Sequence, residues 1–323
     1  MTHGLVVAVD GGGSKTDAVA LRLDGTVVAH AHGPGSSPHF VGVDPSAAII
    51  DEVIRKATGG EDVAQLNIYL SGLDLPVEVD AYRAAIAGFA WAGSTTVVEN
   101  DLYALLRAGT AETDAVAVVC GTGVNAVGVR TDGAVVRFPA LGPISGDWGG
   151  GSGLGEEALW YAARDVDGRG AQTALTAAVL ETMHADSIDA LVEDLHFGRR
   201  AMSELAVVAP AVFEAARGGD PIAIALVDRQ AAEVIDFARA CLTRLGFGDR
   251  EIPVVLGGGL IRAGDPRLLE AIVTGLAAVA PNARPTWVSA APIVGAALLA
   301  LESAGADPGA VERARATLIA QGV

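Results

Sequence analysis

The sequence has few cysteines and little positive charge. Its two cysteines, Cys120 and Cys241, stand in unlike surroundings, which excludes a disulfide framework and a cysteine-based zinc site. The 22 basic residues are outnumbered by 39 acidic ones, and the formal net charge is −17. A chain this acidic repels nucleic-acid backbones and anionic membrane surfaces. We therefore expect neither a nucleic acid nor a membrane as a partner.

Signal-peptide and membrane-spanning patterns are also missing. No basic segment precedes the short apolar stretch that ends at Asp10, so we expect no signal peptide. The longest uncharged stretch, 285–301, contains two prolines and predicts a strand at 287–290 followed by a helix that Pro292 opens. We expect a soluble, cytoplasmic protein. A length of 323 residues, of which 51% are hydrophobic, predicts two domains.

Strands and helices alternate along most of the chain, which predicts an α/β fold. The first strands are joined by a glycine-rich turn and by the hairpin signal Asp24-Gly25. The same order returns about 110 residues later, with a glycine turn at 121–123 and a hairpin signal at Asp132-Gly133. Between residues 154 and 247 the pattern is almost wholly helical. The repeat predicts two domains of one plan, with chance similarity of two β-meanders as the alternative.

The first glycine turn does not match the standard phosphate-loop motifs. It lacks glycines that the P-loop and the dinucleotide-binding motif require, and it leads into a strand rather than a helix. Consecutive backbone N–H groups in such a hairpin can still bind phosphate, and the preceding Asp10 is placed to hold Mg²⁺ through water. The alternative is a structural hairpin with flexible glycines. The residues predicted to bind phosphate are Gly11, Gly12, Gly13, Ser14, Lys15 and Thr16.

Two further segments bear polar residues where a strand or loop meets a helix. Asn100-Asp101 stands between an apolar strand and a helix, where Asp101 fits either a helix N-cap or a functional group at the carboxyl end of a strand. The segment 144–156 is the densest in glycine and contains Gly146 and Asp147. Its alternative interpretation is a flexible loop ahead of a helix.

Two other features carry weaker signals. Gly257, Gly258 and Gly259 follow an apolar strand, and without side chains they allow a flat ring to lie against the backbone. An ordinary strand-to-helix turn explains them equally well. His30 and His32 share one strand face and can chelate a metal, but the sequence offers no third ligand, so we expect solvated histidines.

In this order the motifs resemble the actin/Hsp70/hexokinase ATPase superfamily, and within it the BadF/BadG/BcrA/BcrD-type ATPase and N-acetylglucosamine kinase family. The resemblance implies two actin-like ATPase (ribonuclease H-like) domains around a central nucleotide cleft. It places residues 1–107 and 291–323 in the first domain, and 108–290, with a helical insertion, in the second. The matching segments are 10–16, 100–101, 121–123, 146–155 and 257–259.

The resemblance also implies ATP and Mg²⁺ as ligands, and a role for each motif. Asp101 becomes the general base that removes a proton from a sugar hydroxyl. The second phosphate loop comprises Gly121, Thr122 and Gly123, and the adenosine turn comprises Gly257, Gly258 and Gly259. The residues expected to bind the sugar are Ser37, Asn100, Asp101, Gly146 and Asp147.

The chain departs from the family pattern at two positions near the expected sugar site. Trp148 follows Asp147 where relatives often have a glutamate, and Ser37 stands where relatives often have an asparagine. The identity of the sugar is therefore open.

The resemblance implies an ATP-dependent kinase for an amino sugar, N-acetylglucosamine or glucosamine, acting on the 6-hydroxyl. One alternative is an ATPase that activates a reductase through a shared [4Fe–4S] cluster, for which two cysteines are a weak basis. Another alternative is a non-catalytic sugar sensor. A homodimer is possible, since the apolar helices of the second domain permit one.

Overall fold

The computed structural model describes residues 4–322, which form ten β-strands and thirteen α-helices. The strands are β1 (Leu5–Gly11), β2 (Lys15–Leu21), β3 (Val27–Pro34), β4 (Val63–Leu70), β5 (Val97–Asn100), β6 (Ala115–Cys120), β7 (Val124–Val129), β8 (Val135–Arg137), β9 (Ile252–Gly257) and β10 (Ala283–Trp287). The helices are α1 (Pro38–Val41), α2 (Val43–Thr58), α3 (Pro76–Ile86), α4 (Leu102–Gly109), α5 (Gly150–Val166), α6 (Leu175–Met183), α7 (Ile188–His196), α8 (Ala209–Arg217), α9 (Pro221–Arg244), α10 (Gly259–Arg262), α11 (Pro266–Val279), α12 (Pro292–Ser303) and α13 (Pro308–Ala320). The predicted α/β class is confirmed.

The first sheet has the strand order β3-β2-β1-β4-β5. Its first three strands form an antiparallel meander, whereas β1, β4 and β5 run parallel to one another. Gly11, Leu70 and Asn100 are in register at the carboxyl ends of these three strands. The loops that follow them therefore leave the sheet at a common edge, which is where open α/β sheets bind ligands.

The second sheet has the order β10-β9-β6-β7-β8. Read from the other edge, as β8-β7-β6-β9-β10, it has the same order as the first sheet when β6 is taken as the first strand. The predicted internal repeat is therefore present in the fold. The last strand was predicted at 287–290 but occupies Ala283–Trp287. It lies at the sheet edge and is only partly buried, so the apolar run that followed it was a misleading signal.

Both faces of the first sheet are covered by helices. Val7 and Val9 pack on the side of α2 and α3, and Val6 and Ala8 pack on the side of α12 and α13. This alternation accounts for the uninterrupted apolar run of β1, because a strand buried on both faces needs apolar residues at every position. Helices α4 and α12 approach so closely that a Cβ on Gly295 would overlap the backbone.

The predicted helical region contains α5 to α9. Several helices in the second half of the chain begin with an aspartate N-cap followed by proline, as at Asp220, Asp265 and Asp307. None of the helices within residues 4–322 combines the length and the apolar character needed to cross a bilayer.

The chain divides into two compact units. The first comprises Met1–Ala117, Val127–Pro139 and Thr286–Val323, and the second comprises Val118–Ala126 and Ala140–Pro285. The domain boundaries expected from the family resemblance stay a prediction.

Candidate active site

In the first unit, the turn between β1 and β2 is a tight hairpin packed against the loop after β3. The N–H of Gly12 donates to the carbonyl of Lys15 (2.9 Å), and the carbonyl of Gly12 accepts from Ser36 (3.0 Å) and Ser37 (3.2 Å). A Cβ on Gly11 would overlap the Ser36 hydroxyl, so this close approach requires glycine. Backbone contacts thus fix the shape of the hairpin.

The residues of this hairpin differ in their accessibility. Gly13, Ser14 and Lys15 are exposed, and the Lys15 ammonium lies 2.7 Å from Oδ2 of Asp17. Thr16 is fully buried, and its hydroxyl donates to a backbone carbonyl of β3 (2.6 Å). The hydroxyl of Thr16 therefore stabilises the hairpin, whereas the exposed tip can meet a ligand.

Asp101 lies at the common edge of the parallel strands. Its N–H donates to the carbonyl of Leu70 at the end of β4 (3.2 Å), and it occupies the N-cap position of α4. Its side chain makes no capping hydrogen bond. The side-chain oxygen of Asn100 instead accepts from the N–H of Leu102 (3.0 Å). The carboxylate of Asp101 is therefore not engaged in capping, which removes the main obstacle to its acting as a base.

The environment of Asp101 also raises its pKa. Burial is the main cause and the neighbouring carboxylate of Asp74 the second, and together they raise the pKa of Asp101 to about 7. Burial likewise raises the pKa of Asp74 to about 6. The side-chain amide of Asn100 donates to Oδ1 of Asp74 (3.0 Å). Two carboxyl groups with raised pKa values thus flank one buried asparagine.

Asp74 and its supports were not predicted from the sequence. Oε2 of Glu78 accepts from the N–H groups of Asp74 (2.9 Å) and Leu75 (2.8 Å), which fixes the loop after β4. His39 pairs with Glu78 (2.8 Å), and Arg137 donates to a carbonyl of the same loop (2.6 Å). The position of Asp74 soon after a buried strand was the one available signal. Arg137 comes from a distant strand and gives no local signal.

Ser37, the expected sugar-binding serine, is buried at the start of α1. A Cβ built on Gly72 would lie 2.8 Å from its hydroxyl and 3.0 Å from the ring of His39. The hydroxyl therefore sits beside the loop that carries Asp74. The structure brings Ser37, Asn100 and Asp101 to the same end of the first sheet.

In the second unit, the turn at 121–123 packs on the amino end of α5. The carbonyl of Gly121 accepts from Gly151 (2.8 Å), and the carbonyl of Thr122 accepts from Ser152 (2.9 Å). The buried side chain of Gln230 accepts from the N–H of Gly150 (2.7 Å). Part of the glycine-rich segment is therefore held by internal hydrogen bonds, and Gln230, 80 residues away in the chain, was not predicted.

Asp147 is buried in the loop that precedes α5. Its carboxylate accepts from the hydroxyl of Ser145 (2.5 Å), and it lines a cavity of 160 Å³ together with Trp148 and Glu156. The guanidinium of Arg229 lies 3.8 Å from the centre of the Trp148 ring. One face of Trp148 is thus covered by a cation. Gly146, by contrast, is exposed with a positive φ of 83°.

The third glycine turn of the site joins β9 to α10. Gly258 has φ of 99°, and a Cβ there would overlap the carbonyl of Cys120. A Cβ on Gly259 would meet open space, because no heavy atom from elsewhere in residues 4–322 would lie within 4 Å of it. Gly257 is buried at the end of β9. Gly258 therefore serves packing, and Gly259 leaves room for a ligand.

Comparison with known proteins adds independent information. A family model described as the BadF/BadG/BcrA/BcrD ATPase family matches residues 7–300. The N-acetyl-D-glucosamine kinase of Dictyostelium discoideum is 29% identical over 319 residues, which cover 94% of this chain and 99% of the relative. An N-acetylmuramic acid/N-acetylglucosamine kinase of Clostridium acetobutylicum is 24% identical over 261 residues, covering 79% and 85%.

A solved structure is also similar over most of its length. It is a protein from Chromobacterium violaceum assigned as an N-acetylglucosamine kinase, with a TM-score of 0.74 and 27% identity. The similarity covers 92% of this chain and 99% of that chain.

Proposed function

Because the chain belongs to the BadF/BadG/BcrA/BcrD ATPase family and has the actin-like ATPase fold, we propose that it transfers a phosphoryl group from ATP to an amino sugar. The expected acceptor is N-acetylglucosamine or glucosamine, at the 6-hydroxyl. The observation that carries the proposal is the Asp101 carboxylate, which lies at the ligand-binding edge of the sheet, makes no capping bond and has a raised pKa.

In the proposed reaction, Asp101 acts as the general base. Its ionised carboxylate accepts the proton of the sugar hydroxyl as the hydroxyl oxygen attacks the γ-phosphorus and ADP leaves. A pKa of about 7 suits this role, because about half of the molecules carry the ionised carboxylate at neutral pH and that carboxylate is basic enough to take a proton. Asn100 positions this region by bonding both Asp74 and the first turn of α4.

Each glycine hairpin is proposed to bind phosphate. Exposed backbone N–H groups and the Lys15 ammonium would provide the positive potential that this acidic protein otherwise lacks. The proposed phosphate-binding residues are Gly11, Gly12, Gly13, Ser14, Lys15 and Thr16 in the first unit and Gly121, Thr122 and Gly123 in the second. Of the first group, the exposed Gly13, Ser14 and Lys15 can meet a ligand directly, whereas the buried Gly11 and Thr16 hold the hairpin in shape. The adenosine is proposed to lie at Gly257, Gly258 and Gly259, where Gly259 leaves open space.

The residues at the first hairpin fit a magnesium ion. Asp10 offers a carboxylate oxygen, the type of ligand that Mg²⁺ prefers, and it is partly exposed near the end of β1, just before the three glycines of the hairpin. When bound, Mg²⁺ would neutralise charge on the phosphate oxygens. Asp10 would hold the ion through water.

Each unit contains residues that are proposed to contact the sugar. In the first unit, Ser37 offers a hydroxyl beside the loop that carries Asp74, and Asn100 offers an amide next to Asp101. Gly146 and Asp147 in the second unit belong to the loop in which Ser145 orients the Asp147 carboxylate. A carboxylate held in this way can accept hydrogen bonds from vicinal hydroxyls.

The proposal is tested by measuring ADP release from Mg·ATP with a panel of sugars. The panel comprises N-acetylglucosamine, glucosamine, N-acetylmannosamine, N-acetylmuramic acid, glucose and no sugar. A sugar-dependent signal is expected, and phosphorus–proton coupling in the product locates the phosphate on the 6-oxygen or elsewhere. No ADP release with any sugar of the panel would contradict the proposal.

Sugar-independent ATP hydrolysis would instead favour the reductase-activator alternative. That alternative needs accessible thiolates to hold a cluster. Cys120 and Cys241 are both buried, and burial raises the pKa of each thiol to about 12. These surroundings disfavour metal binding by either thiol.

A further inference from the structure

Two histidines and one aspartate form a cluster on the outer strands of the first sheet. Asp17 belongs to β2, and His30 and His32 belong to the neighbouring edge strand β3. The sequence offered the two histidines without a third ligand. Strand pairing places Asp17 directly opposite His32, and one ligand atom from each of the three residues lies within 4.8 Å of the others.

The distances inside the cluster are close to those of a metal site. Nε2 of His30 lies 3.4 Å from Oδ1 of Asp17. A tetrahedral site with bonds of about 2.0–2.1 Å separates neighbouring ligand atoms by about 3.3 Å. Nδ1 of His32 lies nearer to Asp17, at 2.5 Å, and binding an ion would require this 66% exposed side chain to move outwards.

Nε2 of His30, the atom that would bind the ion, is buried and makes no hydrogen bond within the described part of the chain, residues 4–322. Such an atom is costly to leave unpaired. Burial, and next the neighbouring His32, lower the pKa of His30. A lowered pKa favours the neutral imidazole, which is the form that binds metal ions.

We propose that Asp17, His30 and His32 bind one divalent first-row transition-metal ion, with water at the remaining position. Two imidazoles and one carboxylate favour Zn²⁺ or Co²⁺ over Mg²⁺, which prefers oxygen ligands alone. The exposed ring of His32 leaves the ion a path from solvent.

Lys15 competes with the ion for the same carboxylate. Its ammonium lies 2.7 Å from Oδ2 of Asp17, so metal binding must weaken this ion pair. A second group of possible ligands, His39, Asp74 and Glu78, is less suitable. It offers one imidazole, and Glu78 already bonds His39 and two backbone N–H groups.

The test is direct metal binding by tag-free, full-length protein in buffer that contains millimolar Mg²⁺. Co²⁺ is titrated and followed by its visible absorption, and Zn²⁺ is measured by equilibrium dialysis and metal analysis. We expect one ion per chain. His32→Ala and His30→Ala should each weaken binding by about tenfold or more, because losing a ligand costs at least as much as losing a supporting residue.

Three variants sharpen the result. His196→Ala removes an exposed histidine on α7 and His39→Ala removes the imidazole of the second group, so neither should change the affinity. Lys15→Met should tighten binding, which a purely structural cluster would not predict. Thermal melts confirm that each variant folds.

Three outcomes would overturn the proposal. They are no saturable binding by the wild type, undiminished binding by both His30→Ala and His32→Ala, and loss of binding in His39→Ala. None of these measurements involves ATP or sugar, so they are independent of the proposed kinase activity.

Discussion

The two glycine hairpins occupy the same place in two sheets of identical strand order, yet they differ in charge. The first carries Asp10, Lys15 and Asp17 within eight residues. The second runs from Cys120 to Val129 without a charged residue. A backbone nest for phosphate needs only glycine and can be repeated, whereas the proposed site needs its cation and its carboxylate only once. The two hairpins thus share their strand order and glycine turn, but only the first has charged side chains.

Both hairpins combine an exposed tip with tightly packed glycines. The tip of the first, residues 13–15, is exposed, and so are Thr122 and Gly123 in the second. A Cβ on Gly11 would overlap Ser36, a Cβ on Gly258 would overlap Cys120, and a Cβ on Gly150 would lie 2.5 Å from Gly123. We therefore expect substitutions at the exposed tip of the first hairpin to change catalysis more than folding, and substitutions at the tightly packed Gly150 and Gly258 to change folding first.

The largest expected effect is that of Asp101→Asn in the first unit. Loss of the base should lower kcat by about 10²-fold or more. Sugar-dependent ADP release measures this change. Asp44→Asn, at an exposed acid in the first turn of α2, is the matched control and should leave kcat unchanged. Near-normal turnover by Asp101→Asn would contradict its role as the base.

The same variant should be more stable than the wild type at alkaline pH. The pKa of Asp101 is raised in the folded protein, from 3.8 to about 7, so folding is favoured when the group is protonated. This contribution is lost as the pH rises from about 4 through 7. Above pH 7 the ionised carboxylate costs free energy that asparagine does not, on the order of a few kcal/mol. Urea unfolding at pH 5 and pH 8 should show that the advantage of Asp101→Asn over the wild type in the free energy of unfolding grows with pH. An equal difference at both pH values would contradict a raised pKa of Asp101 in the folded protein.

Two adjacent glycines of the second unit, one tightly packed and one open, permit a matched pair, Gly258→Ala and Gly259→Ala. The first combines a clash with Cys120 and a positive φ, and we expect a loss of about 2–4 kcal/mol in the free energy of unfolding. The second meets open space and should fold normally. Gly259→Ala should nevertheless raise the KM for ATP if adenosine lies there. Equal stabilities for the two variants would contradict the proposed contrast between the packed Gly258 and the open Gly259.

The sequence was informative wherever the signal was local. The two hairpin signals and Asp101 at a strand-to-helix boundary could be recognised from neighbouring residues, and the repeat from the return of the same local pattern about 110 residues later. Asp74, Arg137 and Gln230 could not, because each acts across a long chain separation, such as the 80 residues between Gln230 and Gly150. Asp17 was missed as a partner of His30 and His32 for the same reason.

Lysine substitution tests the charge of the first hairpin directly. Lys15→Met should raise the KM for ATP by about tenfold, the equivalent of one charge-assisted hydrogen bond of roughly 1.4 kcal/mol. Stability should change by less than about 1 kcal/mol, since the lysine is exposed and Asp17 keeps two histidine neighbours. Lys56→Met, at the other lysine, removes an exposed pair with Glu52 and is the control. An unchanged KM would remove Lys15 from the phosphate site.

The smallest expected effect, and the finest test of the first unit, is that of Asp74→Asn on the pH profile. The negative charge of Asp74 helps to raise the pKa of Asp101, so its removal should make Asp101 easier to ionise. The acid limb of kcat/KM should then move to lower pH, by up to about one unit. Asp80→Asn, on the exposed side of α3, should leave the profile in place.

The position of that limb separates two causes that the structure combines. Burial is the larger cause of the raised pKa, and it persists in Asp74→Asn. The limb should therefore stay well above the ordinary aspartate value of 3.8 even after the shift. If the limb fell to that value, Asp74 would be the dominant cause of the raised pKa of Asp101. If the limb did not move, burial alone would account for the raised pKa.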